Sequence, residues 1–145
     1  MSAGKINDAV VRYLDAVANG TADDIASCYT EDGTLEDPVG SEPRRGRAAI
    51  REFYSALEGA RRDTELLTIR IAGDSAAFHF RVRTKLGDRT FDIEPIDVMT
   101  FDEDQRIASM RAYWSGDASA CREWGWSRCD ATLSTWPTSG WSGSR

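Results

Sequence analysis

The stretch Pro95-Ile96-Asp97-Val98-Met99-Thr100-Phe101 decides how this chain is read. Its residues suit a β-strand, in which successive side chains point to opposite faces. Asp97 then shares a face with Ile93, Pro95, Met99 and Phe101, all apolar. Two placements are open. If Ile96 and Val98 face the core, Asp97 faces water, as acids on edge strands do. If the other face is the core, Asp97 is buried, and an ionised carboxylate there needs a cation or several donors. The alternative is to keep its proton, because removal from water raises a carboxyl pKa. A neutral buried carboxylic acid is a hydrogen-bond donor, which is a catalytic tool.

On either side of this stretch the period is also two. Leu66–Ile71 reads as one strand and Ala76–Lys85 as a second, with Phe78, Phe80 and Val82 inward and His79 outward beside Arg81 and Arg83. Thr90–Phe101 reads as the third. Gly73-Asp74 and Gly87-Asp88 supply turns between them. Asp102-Glu103-Asp104-Gln105 is a hairpin loop, and Ile107–Trp114 is the fourth strand, with Met110, Ala112 and Trp114 on one face. Before residue 60 the period is helical instead. Ile6, Val10, Tyr13, Leu14 and Val17 form one stripe, closed by Gly20. Thr21-Ala22-Asp23-Asp24 resembles a capping box for a second helix carrying Ile25, Cys28 and Tyr29. Asp32-Gly33 reads as a turn and Thr34–Asp37 as a short extended piece. Pro38 keeps Asp37 out of the helical region. Val39–Gly46 reads as a loop, and Ala48–Leu57 as a third helix presenting Ile50, Phe53, Tyr54 and Leu57. Helices first and a strand meander afterwards indicate an α+β fold. The expected architecture is a cone: a curved antiparallel sheet wrapped around three N-terminal helices, with a pocket inside.

The chain has 145 residues, 41% hydrophobic and 29% charged, with net charge -6. That suits one domain with a sizeable core and gives no electrostatic support to a nucleic-acid partner. No apolar run approaches a membrane span and no signal-peptide core opens the chain, so a cytoplasmic protein is expected. Cys28, Cys121 and Cys129 make no disulfide framework, and a Cys121–Cys129 pair is not required by spacing. One histidine, His79, excludes a His-rich metal cluster. Composition divides the chain into a cone domain at 1–116 and an extension at 117–145. The extension holds Trp124, Trp126, Trp136 and Trp141 among Ser, Gly and Thr. It reads as a partly ordered tail or as a lid, because those tryptophans need burial somewhere.

Three polar groups stand on or beside apolar faces: Tyr13, Asp37 and Asp97. Tyr13 and Asp97 suit two neutral donors to one oxygen, and Asp37 suits a base for a carbon next to a carbonyl. Enolisation needs that set. Glu36 competes with Asp37 as the base, but alternation sends the two side chains to opposite faces.

At this point a resemblance enters. Glu36-Asp37-Pro38-Val39-Gly40, Ala48-Ala49-Ile50-Arg51-Glu52-Phe53-Tyr54, Ile96-Asp97-Val98-Met99, and Arg106-Ile107 followed by Met110-Arg111-Ala112-Tyr113-Trp114 resemble ketosteroid isomerase, or steroid Δ5-isomerase. That family lies within the nuclear transport factor 2-like, SnoaL-like superfamily, and the resemblance runs from about residue 5 to residue 117. It implies Asp37 as catalytic base, Tyr13 and Asp97 as the oxyanion donors, and Tyr29 and Tyr54 as a hydrogen-bonded chain behind Tyr13. It implies Phe53, Phe80, Met110 and Trp114 as walls of a steroid cavity. It also implies a small hydrophobic ketone or steroid as substrate, a homodimer packed through the sheet, and no cofactor or metal. One fold hosts many functions. A polyketide cyclase-like or epoxide hydrolase-like enzyme therefore stays open, as does a non-catalytic binding module.

Overall fold

The computed structural model describes residues 2–115. The extension at 117–145, with Cys121, Cys129 and its tryptophans, lies outside the described residues. Helix α1 (Ala3–Asn19) starts at Ser2, whose side chain accepts from the Lys5 N–H, and buries Ile6, Val10, Tyr13, Leu14 and Val17. The spacing of those residues places them on one stripe, so this helix is held chiefly by what it covers. Helix α2 (Ala22–Ser27) carries the expected capping box between Thr21 and Asp24. Helix α3 (Arg47–Ser55) buries Ile50, Phe53 and Tyr54.

Seven strands form one sheet among the described residues: β1 (Tyr29–Glu36), β2 (Arg44–Arg45), β3 (Arg61–Ala72), β4 (Ser75–Leu86), β5 (Arg89–Ile93), β6 (Ile96–Phe101) and β7 (Ile107–Tyr113). Their order is β2-β1-β7-β6-β4-β3, with β5 also against β4. The helices lie against one face of this open sheet, and a single core cluster joins α1, α2 and α3 to it. Phe78, 1% exposed on β4, is one of its largest members. Burying a side chain of that size stabilises by roughly 1.5–3 kcal/mol.

The α+β architecture follows the sequence reading, and four details depart from it. The strand expected at 90–101 is two strands, because Pro95 has no N–H to give a ladder. The long β4 pairs with β5 through Val82–Leu86 and with β6 through Ser75–His79. The alternation passes through the break, so Phe91, Ile93, Pro95, Asp97, Met99 and Phe101 are all buried. Tyr29 was expected on α2, but that helix ends at Ser27 and Tyr29 opens β1, fully buried.

The expected turn at Asp32-Gly33 is an irregularity inside β1, where the register to β7 shifts between Tyr29 and Thr34. A side chain at Gly33 would put its Cβ 3.1 Å from the Ile107 carbonyl oxygen, tighter than most such contacts, so the close approach favours glycine. Finally, β1 pairs with β7 in parallel, whereas the other ladders are antiparallel. His79 is partly exposed as expected, 3.6 Å from the Glu94 carboxylate. No helix among the described residues is long and apolar enough to cross a membrane.

Candidate active site

The two acids reach one place through the sheet register. Asp97 on β6 lies between Phe78 on β4 and Ala112 on β7. On the other side of β7, Glu36 pairs with Arg111, so the next residue, Asp37, comes alongside Ala112. The Val39 N–H donates to the Ala112 carbonyl at 2.8 Å and fixes that segment. Asp37 and Asp97 therefore flank Ala112 from its two sides. With neighbouring strands about 4.8 Å apart, their backbones stand roughly 10 Å from each other. The small Ala112 side chain leaves the space between them open.

Above this row, α1 supplies Tyr13, α3 supplies Phe53 and Tyr54, and β4 supplies Phe80. These residues, with Asp37, Asp97 and Trp114, line a cavity of about 60 Å³. Its walls are otherwise apolar, with Val17, Val82 and Ile93 among them. Tyr13 and Tyr54 share a hydrogen bond at 2.8 Å, and Tyr54 and Tyr29 share one at 3.1 Å. Burial raises the pKa of all three tyrosines, so their hydroxyls stay protonated.

The acids differ. Asp37 is partly buried, and its Oδ1 accepts from the Trp114 indole N–H at 2.7 Å. Desolvation raises its pKa to about 6, and the Trp114 donation pulls the other way. Asp97 is 1% exposed, and its Oδ1 has no hydrogen-bond partner among the described residues. Burial first, and the charge of Asp37 second, push its pKa well above the usual carboxyl range. The surroundings thus favour the protonated form more strongly at Asp97 than at Asp37, whose charged form the indole supports.

Tyr13, Asp37, Asp97, Tyr54, Phe53, Phe80 and Trp114 converge on the cavity, as the sequence suggested. Two residues do not line it. Tyr29 stands behind Tyr54 and meets the site through the hydroxyl chain and an edge contact with the Tyr13 ring, 6.4 Å between centroids. Met110, expected in the wall, is 1% exposed in the core, paired with Leu35 and Met99 on the strands beside it. Glu36 points to the opposite face and pairs with Arg111 at 3.3 Å, so it does not compete with Asp37. The hydrogen bond from Trp114 to Asp37 was not foreseen. The available signal was an indole N–H on an inward strand face, which needs an acceptor when buried. Among the described residues, no group of three or more His, Cys, Asp or Glu stands ready to hold a metal ion.

Comparison with known proteins agrees with this fold. The family model of the SnoaL-like domain matches residues 10–110. The chain is 58% identical over 111 residues to a steroid Delta-isomerase of Nocardioides simplex, a match covering 77% of this chain and 90% of that protein. It also superposes on a solved structure of the epoxide hydrolase/cyclase-like enzyme SalBIII, described for its role in pyran ring formation in polyether salinomycin. That match has a TM-score of 0.71 at 30% identity, over 77% of this chain and 92% of the other.

Proposed function

The chain belongs to the SnoaL-like domain family, and from that membership we propose that it is a steroid Δ-isomerase, moving a β,γ double bond of a 3-keto steroid into conjugation. The observation that carries this reading is the 58% identity to the Nocardioides simplex steroid Delta-isomerase. The site chemistry supports it independently. Asp37, ionised at neutral pH, takes the proton from the carbon between carbonyl and double bond. The electron pair moves onto the ketone oxygen and a dienolate forms. Asp97 and Tyr13 donate to that oxygen as its charge grows, and buried, prepositioned donors need no reorganisation at that moment. Asp37 then returns the proton to the far end of the dienolate, which regenerates the carboxylate and leaves the conjugated enone. The substrate's own carbonyl is the electron sink, so the step calls for no cofactor.

The tyrosine chain has one productive direction. If Tyr29 donates to Tyr54 and Tyr54 to Tyr13, the Tyr13 proton is left for the oxyanion, and each donation polarises the next. A cavity of about 60 Å³ is below the roughly 300–1,000 Å³ of small-molecule sites, so its walls have to part to admit a steroid. An acid-and-base pair also serves epoxide opening, as the likeness to SalBIII suggests, but the higher identity favours isomerisation.

We extend the proposal to a homodimer packed through the outer face of the sheet, in the cytoplasm. Ile96 and Tyr113, 47% and 43% exposed, lie opposite each other in the β6–β7 ladder and form an apolar pair on that face. Sedimentation showing a monomer at micromolar concentration would remove the dimer and leave the chemistry untouched. The isomerase itself is tested with 5-androstene-3,17-dione, following the ultraviolet absorbance of the conjugated enone. Conversion by the wild-type protein is the expected result. A folded protein that leaves the substrate unchanged overturns the reading.

A further inference from the structure

On the inward face of β4 the side chains run Phe78, Phe80, Val82, Thr84. The first three are hydrocarbon. Thr84 is 4% exposed and lines the same cavity. Valine has the same shape and would fill this position without a hydroxyl to desolvate, so packing does not explain threonine here. Other polar groups of the lining have assigned partners or roles. Tyr13 and Tyr54 bond each other, Asp37 bonds Trp114, and Asp97 stands at the reacting end.

A second observation lies beside it. Arg62 on β3 is the register partner of Thr84, and residues directly opposite in an antiparallel ladder share a face. Arg62 is 7% exposed; its Nη2 donates to the Gly20 carbonyl at 3.0 Å, while Nε and Nη1 have no partner among the described residues. No Arg62 nitrogen bonds the Thr84 hydroxyl. That hydroxyl lines the cavity, and an acceptor on the ligand satisfies its O–H. Its position along the strand sets which end of the ligand that is. Thr84 lies six residues along β4 from Phe78, the register partner of Asp97. That is about 20 Å on a straight strand and less along the concave side of a curved sheet.

We infer that Thr84 is a specificity-determining residue that donates a hydrogen bond to a second oxygen acceptor, such as a ketone, at the end of the steroid remote from the reacting carbonyl. The inference rests on the isomerase reading and adds to it the residue that reads the far end of the substrate.

The test compares 5-androstene-3,17-dione with its 17-deoxy counterpart, 5-androsten-3-one, in the wild type, Thr84→Val and Thr84→Ser. The ratio of kcat/KM between the two substrates is the readout. The wild type is expected to favour the 17-ketone by about 3- to 10-fold, the share of one neutral hydrogen bond, and mainly through KM. Thr84→Val should bring the ratio to about one, and Thr84→Ser should restore it. A merely structural role would change both substrates alike and leave the ratio in place, so a Thr84→Val ratio equal to wild type overturns the inference. A wild type that does not discriminate overturns it equally. If Thr84→Val fails to fold, Thr84→Ala is read by the same ratio. Turnover of neither substrate by the wild type removes the isomerase reading and this inference together, whereas turnover with an unmoved ratio removes the inference alone.

Discussion

Asp37 and Asp97 stand on either side of one alanine, at the edge of one cavity, and their surroundings favour the charged form unequally. Asp37 follows the end of β1, is partly buried, and has a donor in Trp114 at 2.7 Å. Asp97 is within β6, 1% exposed, with one carboxyl oxygen unpartnered among the described residues. Desolvation raises both pKa values, and Asp97 is the more deeply buried of the two. The indole adds to the difference by favouring the charged form of Asp37. Once Asp37 is ionised, its charge helps to keep the proton on Asp97. The two acids are electrostatically coupled, and the indole hydrogen bond favours Asp37 as the charged member.

The strongest way to break this contrast is to remove the carboxylate. Asp37→Asn keeps the shape and cannot accept a proton, so kcat should fall by roughly 10²- to 10⁴-fold, the usual share of general-base catalysis. A variant that turns over at the wild-type rate moves the base elsewhere. The same substitution should stabilise the fold. A carboxyl whose folded pKa is raised from 3.8 to about 6 contributes stability below pH 3.8 and loses it as pH rises through 6. Asp37→Asn should therefore melt higher than wild type at pH 8, by about 1–3 kcal/mol given partial exposure, with the gap closing towards pH 4. Denaturation at the two pH values checks the sign.

The next largest effect belongs to the other acid. Asp97→Ala removes an oxyanion donor, which costs on the order of 3 kcal/mol in the barrier, or roughly 10²-fold in kcat. Product binding should weaken far less, because a neutral ketone needs the donor less than an oxyanion does. Unchanged turnover would make Asp97 a bystander. Trp114→Phe sharpens the comparison more gently. The acid limb of the wild-type kcat/KM profile should lie near pH 6, where Asp37 titrates. Losing the indole donor raises that pKa further, so the limb moves to higher pH and the rate drops at neutral pH but recovers in alkali. A limb that stays in place would show that the indole does not set the charge of Asp37.

The sequence carried much of this site because its signals are local. The alternation around Asp97 is intact in the structure, and it crosses the Pro95 break without losing phase. Tyr13 and Tyr54 were legible as polar tips on apolar helical faces. What escaped depends on pairings between distant residues. Nothing local announces that β1 runs parallel to β7, and that pairing is what sets Asp37 beside Ala112. The bond from Trp114 to Asp37 spans 77 positions. Arg62 sits in Arg61-Arg62-Asp63, ahead of the strand expected at Leu66–Ile71, and it is buried with its guanidinium reaching the carbonyl after the end of α1. Tyr29 was misplaced because no glycine marks the end of α2, while its burial was right for either element.

The smallest predicted effect tests how far the contrast between the acids depends on the groups around them. Tyr54 has two hydroxyl neighbours, Tyr13 and Tyr29, and lies between them. In Tyr54→Phe the ring remains and fills the same space beside Phe53, with which it makes an edge contact at 5.1 Å between centroids. Only the relay is cut. Tyr13 then keeps its proton and still donates to the oxyanion, but without a donor polarising it from behind. The loss should be about 3- to 10-fold in kcat, the share of one neutral hydrogen bond, with KM little changed. Tyr29→Phe, one step further from the substrate, should cost less still. If Tyr54→Phe instead matched Asp97→Ala in size, Tyr54 would be a direct donor to the substrate. If Tyr29→Phe exceeded Tyr54→Phe, the chain would not run through Tyr54, and the order of donation from Tyr29 to Tyr13 would be wrong.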